Sequence, residues 1–308
     1  TTAVLGNTLV IGAIRSSHRL REQAANVFII NLCVTDLSSA VLVMGTALFA
    51  LLSDARALNV VWCNVVCAAN YCFIIVSMLT LAGISVERLV AIKAAMRYAQ
   101  HITPCRLQLV CAYFWIQGVA FAVSPVVLGW VHYDYWEVVC AIDWQKEKVQ
   151  AVYYVLVAFI ANFALPGLIM LVCYLSIMQE ARRLKQVIPC AGASGGMQAE
   201  AVSRMKQNQD RVLKTITSLL VVVALFFFCM TPFCVTKLLK VIIKDAHFVP
   251  AYANLTASYF GYLSSMVNPL IYGIFRKEFR SAFLRTLRKM HCPVPMSSIN
   301  DEVTHTVQ

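Results

Sequence analysis

Long apolar runs separated by short polar connections dominate this 308-residue chain. A helix that crosses the hydrocarbon core of a bilayer needs about 20 apolar residues. Six runs are long enough, and they lie near 25–52, 59–86, 107–131, 150–178, 215–243 and 250–275. A seventh run, Ala3 to Ile14, is too short to span alone, so we expect the chain to begin partway along a first helix. The pattern predicts an all-α bundle of seven transmembrane helices.

Composition narrows the protein class in the same direction. Hydrophobic residues make up 60% of the chain and charged residues 13%, against about 45–50% and about 25% in soluble domains. A soluble fold would lack the polar surface to cover so much apolar side chain. The composition therefore excludes a disordered chain, a nucleic-acid-binding domain of the usual kind and a disulfide-stapled miniprotein, and it indicates an integral membrane protein.

The net charge of +11 is concentrated on one side of the predicted bundle. Most of the 26 Lys and Arg residues fall in four connections, near 15–22, 87–106, 180–214 and 276–292. These are every second connection between spans, so they lie on the same side of the membrane. Cationic residues mark the cytoplasmic face of membrane proteins. We therefore expect a multi-pass plasma-membrane protein with an extracellular N-terminus, a cytoplasmic C-terminus and a basic face beside anionic lipid.

The predicted membrane domain covers 1–292. Within it, the segment around 186–206 is rich in Gly, Ala and Ser, which is typical of a flexible cytoplasmic loop. Residues 293–308 are polar and predict a mobile cytoplasmic tail.

Three of the twelve cysteines differ from the others, which lie mostly inside apolar runs. Cys63 at the outer end of the third run and Cys140 in the next outer connection both face an oxidising compartment, which predicts a disulfide between them. Cys292 follows an amphipathic basic segment and is a candidate for palmitoylation, with an unmodified tail thiol as the alternative.

Few polar groups are expected at membrane depth, and each is a functional hypothesis because burying it costs free energy. The ionisable ones are Asp36 and the pair Glu87 and Arg88. An enzyme would need convergent acids, histidines or metal ligands, and the six histidines are scattered, so we expect no metal centre. A membrane transporter or channel is the alternative class, although matched repeats or broken helices are not visible in the sequence.

A set of landmark residues occurs in order along the whole chain. They are Gly6, Asn7, Leu32, Asp36, Cys63, Glu87, Arg88, Trp115, Pro125, Cys140, Pro166, Tyr174, Phe226, Pro232 and the run NPLIY at 268–272. In this order the chain resembles the rhodopsin-like (class A) G-protein-coupled receptors, with an amine-receptor-like framework. Phe275 and Phe279 resemble the start of the short amphipathic eighth helix of that family.

The resemblance implies a ligand-controlled switch that acts on a heterotrimeric G protein through the basic cytoplasmic face, with arrestin as a further partner. Arg88 would engage Tyr174 and a Gα subunit once helix six swings outward about Pro232, while Tyr272 would move inward. The implied switch residues are Glu87, Arg88, Tyr174, Phe226, Met230, Pro232, Asn268, Pro269 and Tyr272.

A sodium site is also implied by the resemblance, formed by Asp36, Ser77, Ser265 and Asn268. Carboxylate, hydroxyl and amide oxygens suit a hard cation. The alternative for Asp36 is a protonated acid in a water network. No cofactor is expected beyond this allosteric ion.

Two departures from the family pattern bear on activation. Met230 stands where the family carries a tryptophan before the helix-six proline, and Val212 stands where it carries the acid that pairs with the helix-three arginine. Both changes predict high basal activity. Glu87 and Arg88 followed by Leu89 preserve the acid–arginine pair.

The implied ligand pocket is neutral and aromatic apart from one lysine. Its expected lining residues are Asn70, Tyr71, Ile74, Asn162, Phe233, Lys237, Ser258 and Tyr262. Asn70 replaces the aspartate of amine receptors, so a protonated amine would lack its counter-ion, and the seventh run has no lysine to link retinal. Lys237 either pairs with an anionic ligand or extends its ammonium outward to water. We expect the ligand to be a small molecule or a lipid. The alternative to a ligand-gated receptor is one that works mainly through basal coupling to the G protein.

Overall fold

The computed structural model describes residues 1–54, 58–94, 97–135, 138–143, 148–193, 199–243, 249–275 and 279–281. In these residues seven bundle helices follow one another. They are α1 (Thr2–Ser16), α2 (Asn26–Leu52), α3 (Val60–Lys93), α4 (Pro104–Val127), α5 (Lys148–Phe159 continued by Leu165–Ala193), α6 (Ala199–Ile242) and α7 (Ala251–Phe275). Short helical turns, His18–Arg21 and Tyr98–His101, follow α1 and α3.

Five helical stretches among the described residues are long and apolar enough to cross a membrane. They are Asn26–Leu52, Val60–Lys93, Pro104–Val127, Val149–Glu180 and Leu220–Lys240. The helix α1, at 15 residues, is shorter than such a stretch, and α7 carries many Tyr, Ser and Asn residues. The predicted runs thus correspond to helices of the bundle. Both α2 and α5 contain a π-helical turn, at Ser39–Val43 and Ile160–Ala164, which the apolar pattern does not reveal.

The predicted fourth span, 107–131, is wrong at its outer end. The helix ends at Val127 because Gly129 adopts the left-handed conformation at φ 68°. The backbone N–H of Gly129 donates to the carbonyl of Val126 at 3.0 Å, and that of Trp130 to Pro125 at 2.9 Å. This is a Schellman motif, in which a glycine just past the helix satisfies the last carbonyls.

A β-hairpin, which the sequence did not predict, follows α4. Strand β1 (Val131–Asp134) pairs antiparallel with β2 (Val139–Ile142), and Tyr133 lies opposite Cys140. The bundle itself is all-α as expected. The hairpin lies at the end of the bundle that the charge pattern predicts to be extracellular, which we call the outer end, and the residues of β2 are buried there.

The predicted cytoplasmic loop is partly helical. The helix α5 continues to Ala193 and α6 begins at Ala199, so helix occupies most of 186–206. The alanines of this segment favour helix. Residues 279–281 are helical, whereas Cys292, the rest of the predicted eighth helix and the tail 293–308 lie outside the described residues.

Close helix contacts and buried hydrogen bonds position the bundle. Asn31 of α2 donates to the Thr80 hydroxyl of α3 at 2.8 Å and accepts from the Trp115 indole of α4 at 2.9 Å. The backbones of α3 and α4 approach closely at Gly118, where a Cβ would lie 2.9 Å from a methyl carbon of Val76. These contacts hold α3 in the centre of the bundle.

Candidate functional site

An upper cavity opens beneath the hairpin and descends between α2, α3, α6 and α7. Val139, Cys140 and Ala141 of β2 line its outer end, and Asp36 and Ser265 line its inner end. Its wall is formed by Ser39, Asn70, Tyr71, Phe73, Ile74, Ser77, Phe226, Met230, Phe233, Lys237, Ser258, Gly261, Tyr262 and Ser264. One continuous space therefore joins the pocket mouth to the buried carboxylate.

A second cavity lies between α3, α5 and α6. Apolar side chains form most of its wall, and Met78, Val155, Phe159, Phe163 and Leu238 are among them. We call this space the side cavity. It shares part of its wall with the upper cavity.

All eight residues expected to line a ligand pocket border one of these cavities. Asn70, Ser258 and Tyr262 line the upper cavity, Asn162 lines the side cavity, and Tyr71, Ile74, Phe233 and Lys237 line both. These four residues form part of the wall that the cavities share, and we call this wall the junction.

The structure contradicts the interpretation of Lys237 as a side chain that reaches outward to water. The residue is 6% exposed. Its Nζ lies 5.2 Å from the ring centroid of Phe233 and donates to the side-chain oxygen of Asn254 at 3.3 Å. The ammonium is thus held over an aromatic ring at the junction of the cavities. Asn254, the holding residue, was not predicted, because its contact with α6 depends on how α6 and α7 pack.

Two polar residues that line the side cavity form hydrogen bonds to other groups of the protein. Asn162 accepts a hydrogen bond from Gln117 of α4 at 2.8 Å and donates to the Ala158 carbonyl at 3.0 Å. The Tyr154 hydroxyl donates to the Phe121 carbonyl at 2.7 Å. These bonds leave the side cavity with an apolar character despite its two polar side chains.

The four residues of the expected sodium site lie near one another at the inner end of the upper cavity. Asp36 is 3% exposed and accepts a hydrogen bond from the Asn268 amide at 2.9 Å, and Ser265 also interacts with this carboxylate. Ser77 lines the same space, and its hydroxyl lies 3.1 Å from that of Thr35. Thr35, which was not predicted, shares the polar environment.

Met230 stands at the junction of the two cavities and is 1% exposed. Its sulfur would lie 3.9 Å from a Cβ placed on Gly261 of α7. Phe226, one turn earlier on α6, also lines both cavities. The thioether and this ring thus face the space between the mouth and Asp36.

At the inner end of α3, Glu87 holds Arg88. The Nε atom of Arg88 lies 3.0 Å from one carboxylate oxygen of Glu87, and the Tyr98 hydroxyl donates to the other. Burial raises the pKa of the Tyr98 phenol, and the bond to Glu87 raises it further. The phenol therefore remains a donor throughout the physiological range. Tyr98 was not predicted, because it lies in a connection with no motif.

The other expected switch residues lie on α5, α6 and α7. The Ser85 hydroxyl of α3 lies 3.4 Å from the Tyr174 hydroxyl of α5, so Tyr174 contacts α3 one turn before Arg88. The ring of Tyr272 packs on Phe279, with centroids 5.8 Å apart. Pro232 and Pro269 lie inside α6 and α7, where each removes a backbone donor. The side chain of Val212 lies outside the described residues.

The predicted disulfide between Cys63 and Cys140 is confirmed, with the two Cα atoms 5.3 Å apart. It joins β2 to α3. The hairpin is held further by Tyr135, which donates to Asp54 at 2.9 Å, and by Asp134, whose carboxylate lies 3.9 Å from Nζ of Lys240 on α6. The roof of the upper cavity is thus fixed to three parts of the bundle.

A helical bundle with a roofed cavity, a buried carboxylate beneath it and an acid–arginine pair at the opposite end defines a multi-pass membrane receptor. The family described as 7 transmembrane receptor (rhodopsin family) matches residues 6–272. The chain belongs to this family and is a class A G-protein-coupled receptor, not an enzyme. The transporter or channel alternative is not favoured.

Several receptors are similar to the chain over most of its length. Human 5-hydroxytryptamine receptor 4 is 27% identical over 297 residues, which cover 92% of this chain and 75% of that receptor. Rat histamine H2 receptor is 27% identical over 290 residues, covering 94% and 76%. Drosophila melanogaster octopamine receptor beta-1R is 25% identical over 314 residues, covering 94% and 59%. The crystal structure of squid rhodopsin aligns with a TM-score of 0.82 at 21% identity, covering 100% of this chain and 88% of the other, which shows the fold.

Proposed function

We propose that this receptor transmits an extracellular signal to a heterotrimeric G protein by outward movement of α6. The observation that carries the proposal is the Arg88 side chain, which is 19% exposed and paired with Glu87 at the end of the bundle opposite the ligand cavities. In this orientation the N-terminus is extracellular, and the basic connections form the cytoplasmic face that contacts the G protein and arrestin.

Activation is a population shift between two arrangements of the helices. A ligand that binds better when α6 is out raises the share of that arrangement. Pro232 lacks a backbone N–H inside α6, which provides the point about which the inner half pivots. Arg88 then leaves Glu87 and reaches Tyr174 and the incoming Gα helix.

High basal activity follows from two side chains that restrain α6 weakly. Met230, a flexible thioether, fills the position between the cavities with less volume than a tryptophan. Val212 supplies no charge to attract Arg88. The closed arrangement is therefore favoured by a smaller free-energy difference.

An allosteric sodium ion binds at Asp36. The carboxylate and the hydroxyls of Ser77 and Ser265 line one cavity, and these are the oxygen ligands that hard cations prefer. The ion would neutralise the buried carboxylate and stabilise the inactive arrangement.

The ligand is a small molecule or lipid without a protonated amine. Asn70, which is buried and lines the upper cavity, offers no negative charge at the level where an amine would need one. The relatives above are named for 5-hydroxytryptamine, histamine and octopamine, so this chain differs from them in ligand class.

The test is a panel of G-protein dissociation sensors in transfected cells without added ligand. We expect a signal above empty vector for at least one Gα class, abolished by Arg88→Ala. Gln150→Ala, which removes an exposed polar side chain near the start of α5, at the other end of the bundle, is the matched control and should leave the signal intact at equal surface expression. Absence of signal in every class would contradict the basal-activity proposal, and a signal that survives Arg88→Ala would contradict the mechanism.

A further inference from the structure

Asn70 of α3 differs from the other buried asparagines that the structure describes. Its side chain lines the upper cavity, is 7% exposed and forms no hydrogen bond with any described residue. The others use their side-chain amides in hydrogen bonds within the protein, and they are Asn7, Asn26, Asn162, Asn254 and Asn268. The amide of Asn70 is therefore available to a molecule in the cavity.

The hydroxyl of Ser258 on α7 also lacks a hydrogen-bond partner among the described residues. Ser258 is 5% exposed and lines the same cavity. Other hydroxyls of α7 donate to carbonyls of their own helix, Thr256 to Tyr252 at 2.7 Å and Ser264 to Gly261 at 2.7 Å. A buried hydroxyl without a partner costs about 1–3 kcal/mol, so a ligand group that bonds to Ser258 would recover that free energy.

We infer that Asn70 and Ser258 bind an uncharged primary carboxamide of an aromatic ligand. The inference rests on the proposed function, because it names the ligand class of the receptor pocket. The Asn70 amide carries N–H donors and a carbonyl acceptor side by side, and so does a carboxamide, so the two groups can exchange a pair of hydrogen bonds. The carboxamide oxygen keeps a second lone pair, which can accept from the Ser258 hydroxyl.

Hydrogen-bond complementarity disfavours a charged group between these two residues. A carboxylate has acceptors only and would leave the Asn70 carbonyl unpaired, whereas an ammonium has donors only and would leave the Asn70 N–H groups unpaired. Neither Asn70 nor Ser258 carries a charge that would offset the lost hydration of an ion. Asp36, an acid that lines the same cavity, lies at its inner end, where it is bonded to Asn268.

Aromatic and aliphatic side chains form the wall around the polar pair. Tyr71, Phe73, Ile74 and Phe233 line the upper cavity, and the rings of Tyr71 and Phe233 are tilted, with centroids 6.5 Å apart. Aromatic rings favour tilted and offset contacts with one another. A ring attached to the carboxamide would pack against this wall while the amide bonds to Asn70.

The experiment compares four probes that carry the same indole ring: indole-3-acetamide, methyl indole-3-acetate, indole-3-acetate and tryptamine. Thermal unfolding of the purified receptor in lipid nanodiscs, recorded against probe concentration, gives an apparent Kd for each. We expect indole-3-acetamide to raise the Tm and to bind about fivefold more tightly than the methyl ester, which cannot donate to Asn70. The anion and the protonated amine should bind roughly tenfold or more weakly than the amide.

Two serine variants test the unpaired hydroxyl without any ligand. Ser258→Ala and Ser264→Ala gain the same helix propensity, but only Ser258→Ala removes a buried hydroxyl that lacks a partner among the described residues. Ser258→Ala should therefore raise the Tm of the ligand-free receptor more than Ser264→Ala does. It should also weaken indole-3-acetamide about threefold to tenfold, whereas Ser264→Ala, the matched control, should leave that apparent Kd unchanged.

Asn70→Asp tests the charge preference. The new carboxylate would lack the N–H donors and would supply a counter-ion, so tryptamine should become the tightest of the four probes and indole-3-acetamide should lose its advantage.

Equal binding of the four probes, absence of a Tm shift with indole-3-acetamide, equal effects of the two serine variants, or an unchanged order of probes in Asn70→Asp would overturn the inference. The four-probe comparison uses the unsubstituted receptor, so it stands even where a variant fails to fold. The readout contains no G protein, so loss of the Arg88-dependent signal would contradict the proposed function without changing this result.

Discussion

Tyr98 donates its hydroxyl to one oxygen of the Glu87 carboxylate, whose other oxygen lies 3.0 Å from Nε of Arg88. One buried acid thus joins the connection after α3 to the arginine expected to engage the G protein. Because Glu87 is 2% exposed, its orientation depends on these two partners. Tyr98 is therefore a positioning residue for Arg88.

Removing that hydrogen bond should raise basal signalling. Tyr98→Phe keeps the ring and deletes the donor, so Glu87 holds Arg88 less firmly. A lost bond of about 1 kcal/mol corresponds to roughly a fivefold rise in the active share when that share is small. The dissociation sensors measure it, and Tyr113→Phe, at an exposed tyrosine of α4, is the control. An unchanged or lower basal signal would show that Tyr98 does not restrain Arg88.

Enlarging residue 230 should lower basal signalling. Met230→Trp fills the junction of the two cavities and adds packing that favours the closed position of α6. We expect a fall of about twofold to fivefold, equivalent to roughly 0.5–1 kcal/mol. Met230→Leu nearly conserves volume and should lower the signal less than the tryptophan does. Equal effects from both changes would argue against a role for side-chain volume.

Sodium should stabilise the receptor through Asp36. A site filled at ten times its Kd adds about 1.4 kcal/mol to the stability of the folded state, so the Tm should be higher in NaCl than in choline chloride at equal ionic strength. Asp36→Asn should remove that difference. Asp54→Asn, at an exposed aspartate, serves as the control and should retain the Tm difference between the two salts. Persistence of the sodium effect in Asp36→Asn would place the ion elsewhere.

The contact between α1 and α7 should be intolerant of a single methyl group. A Cβ on Gly6 would lie 2.9 Å from Cβ of Pro269, whereas one on Gly12 meets nothing within 4 Å. Gly6→Ala should destabilise the protein by about 1–3 kcal/mol. Gly12→Ala, in the same helix, should be neutral or slightly stabilising because alanine favours helix. Thermal unfolding distinguishes them, and equal Tm values would contradict the close approach.

Loss of the disulfide should lower stability more than loss of a free thiol. The bond between Cys63 and Cys140 closes a loop with a sequence separation of 77, for which loop-closure entropy predicts about 4.5 kcal/mol. The double change to alanine should lower the Tm by several degrees and make it insensitive to reducing agent. Cys105→Ala, at an exposed free cysteine, is the control. A Tm of the double variant equal to that of the unchanged receptor would contradict a stabilising role for the disulfide.

The bundle was predictable because its signal is local. Each span needs a run of apolar residues, and such a run is visible in the sequence however the helices pack against one another. The fourth span was predicted four residues too long because Val131 is as apolar as the helix before it. Gly129 was the available signal, since a glycine after a helical run often marks its end.

The site was only partly predictable, because its geometry depends on contacts between distant segments. Asn7 donates to the Ser265 carbonyl, 258 residues away, and Lys237 meets Asn254 only once α6 and α7 are packed. The sequence identified Lys237 and Ser258 as pocket residues. It did not show that the ammonium is buried or that the hydroxyl lacks a hydrogen-bond partner among the described residues.

The covalent attachment of β2 to α3 has a kinetic consequence for whatever occupies the upper cavity. Val139, Cys140 and Ala141 lie across its outer end, and the bond to Cys63 prevents Cys140 from moving away. A bound molecule must leave beside the hairpin, through openings created when helices fluctuate on the microsecond to millisecond scale. Residence time is then governed by how often the protein opens, and two ligands of equal affinity can differ widely in the duration of their signal.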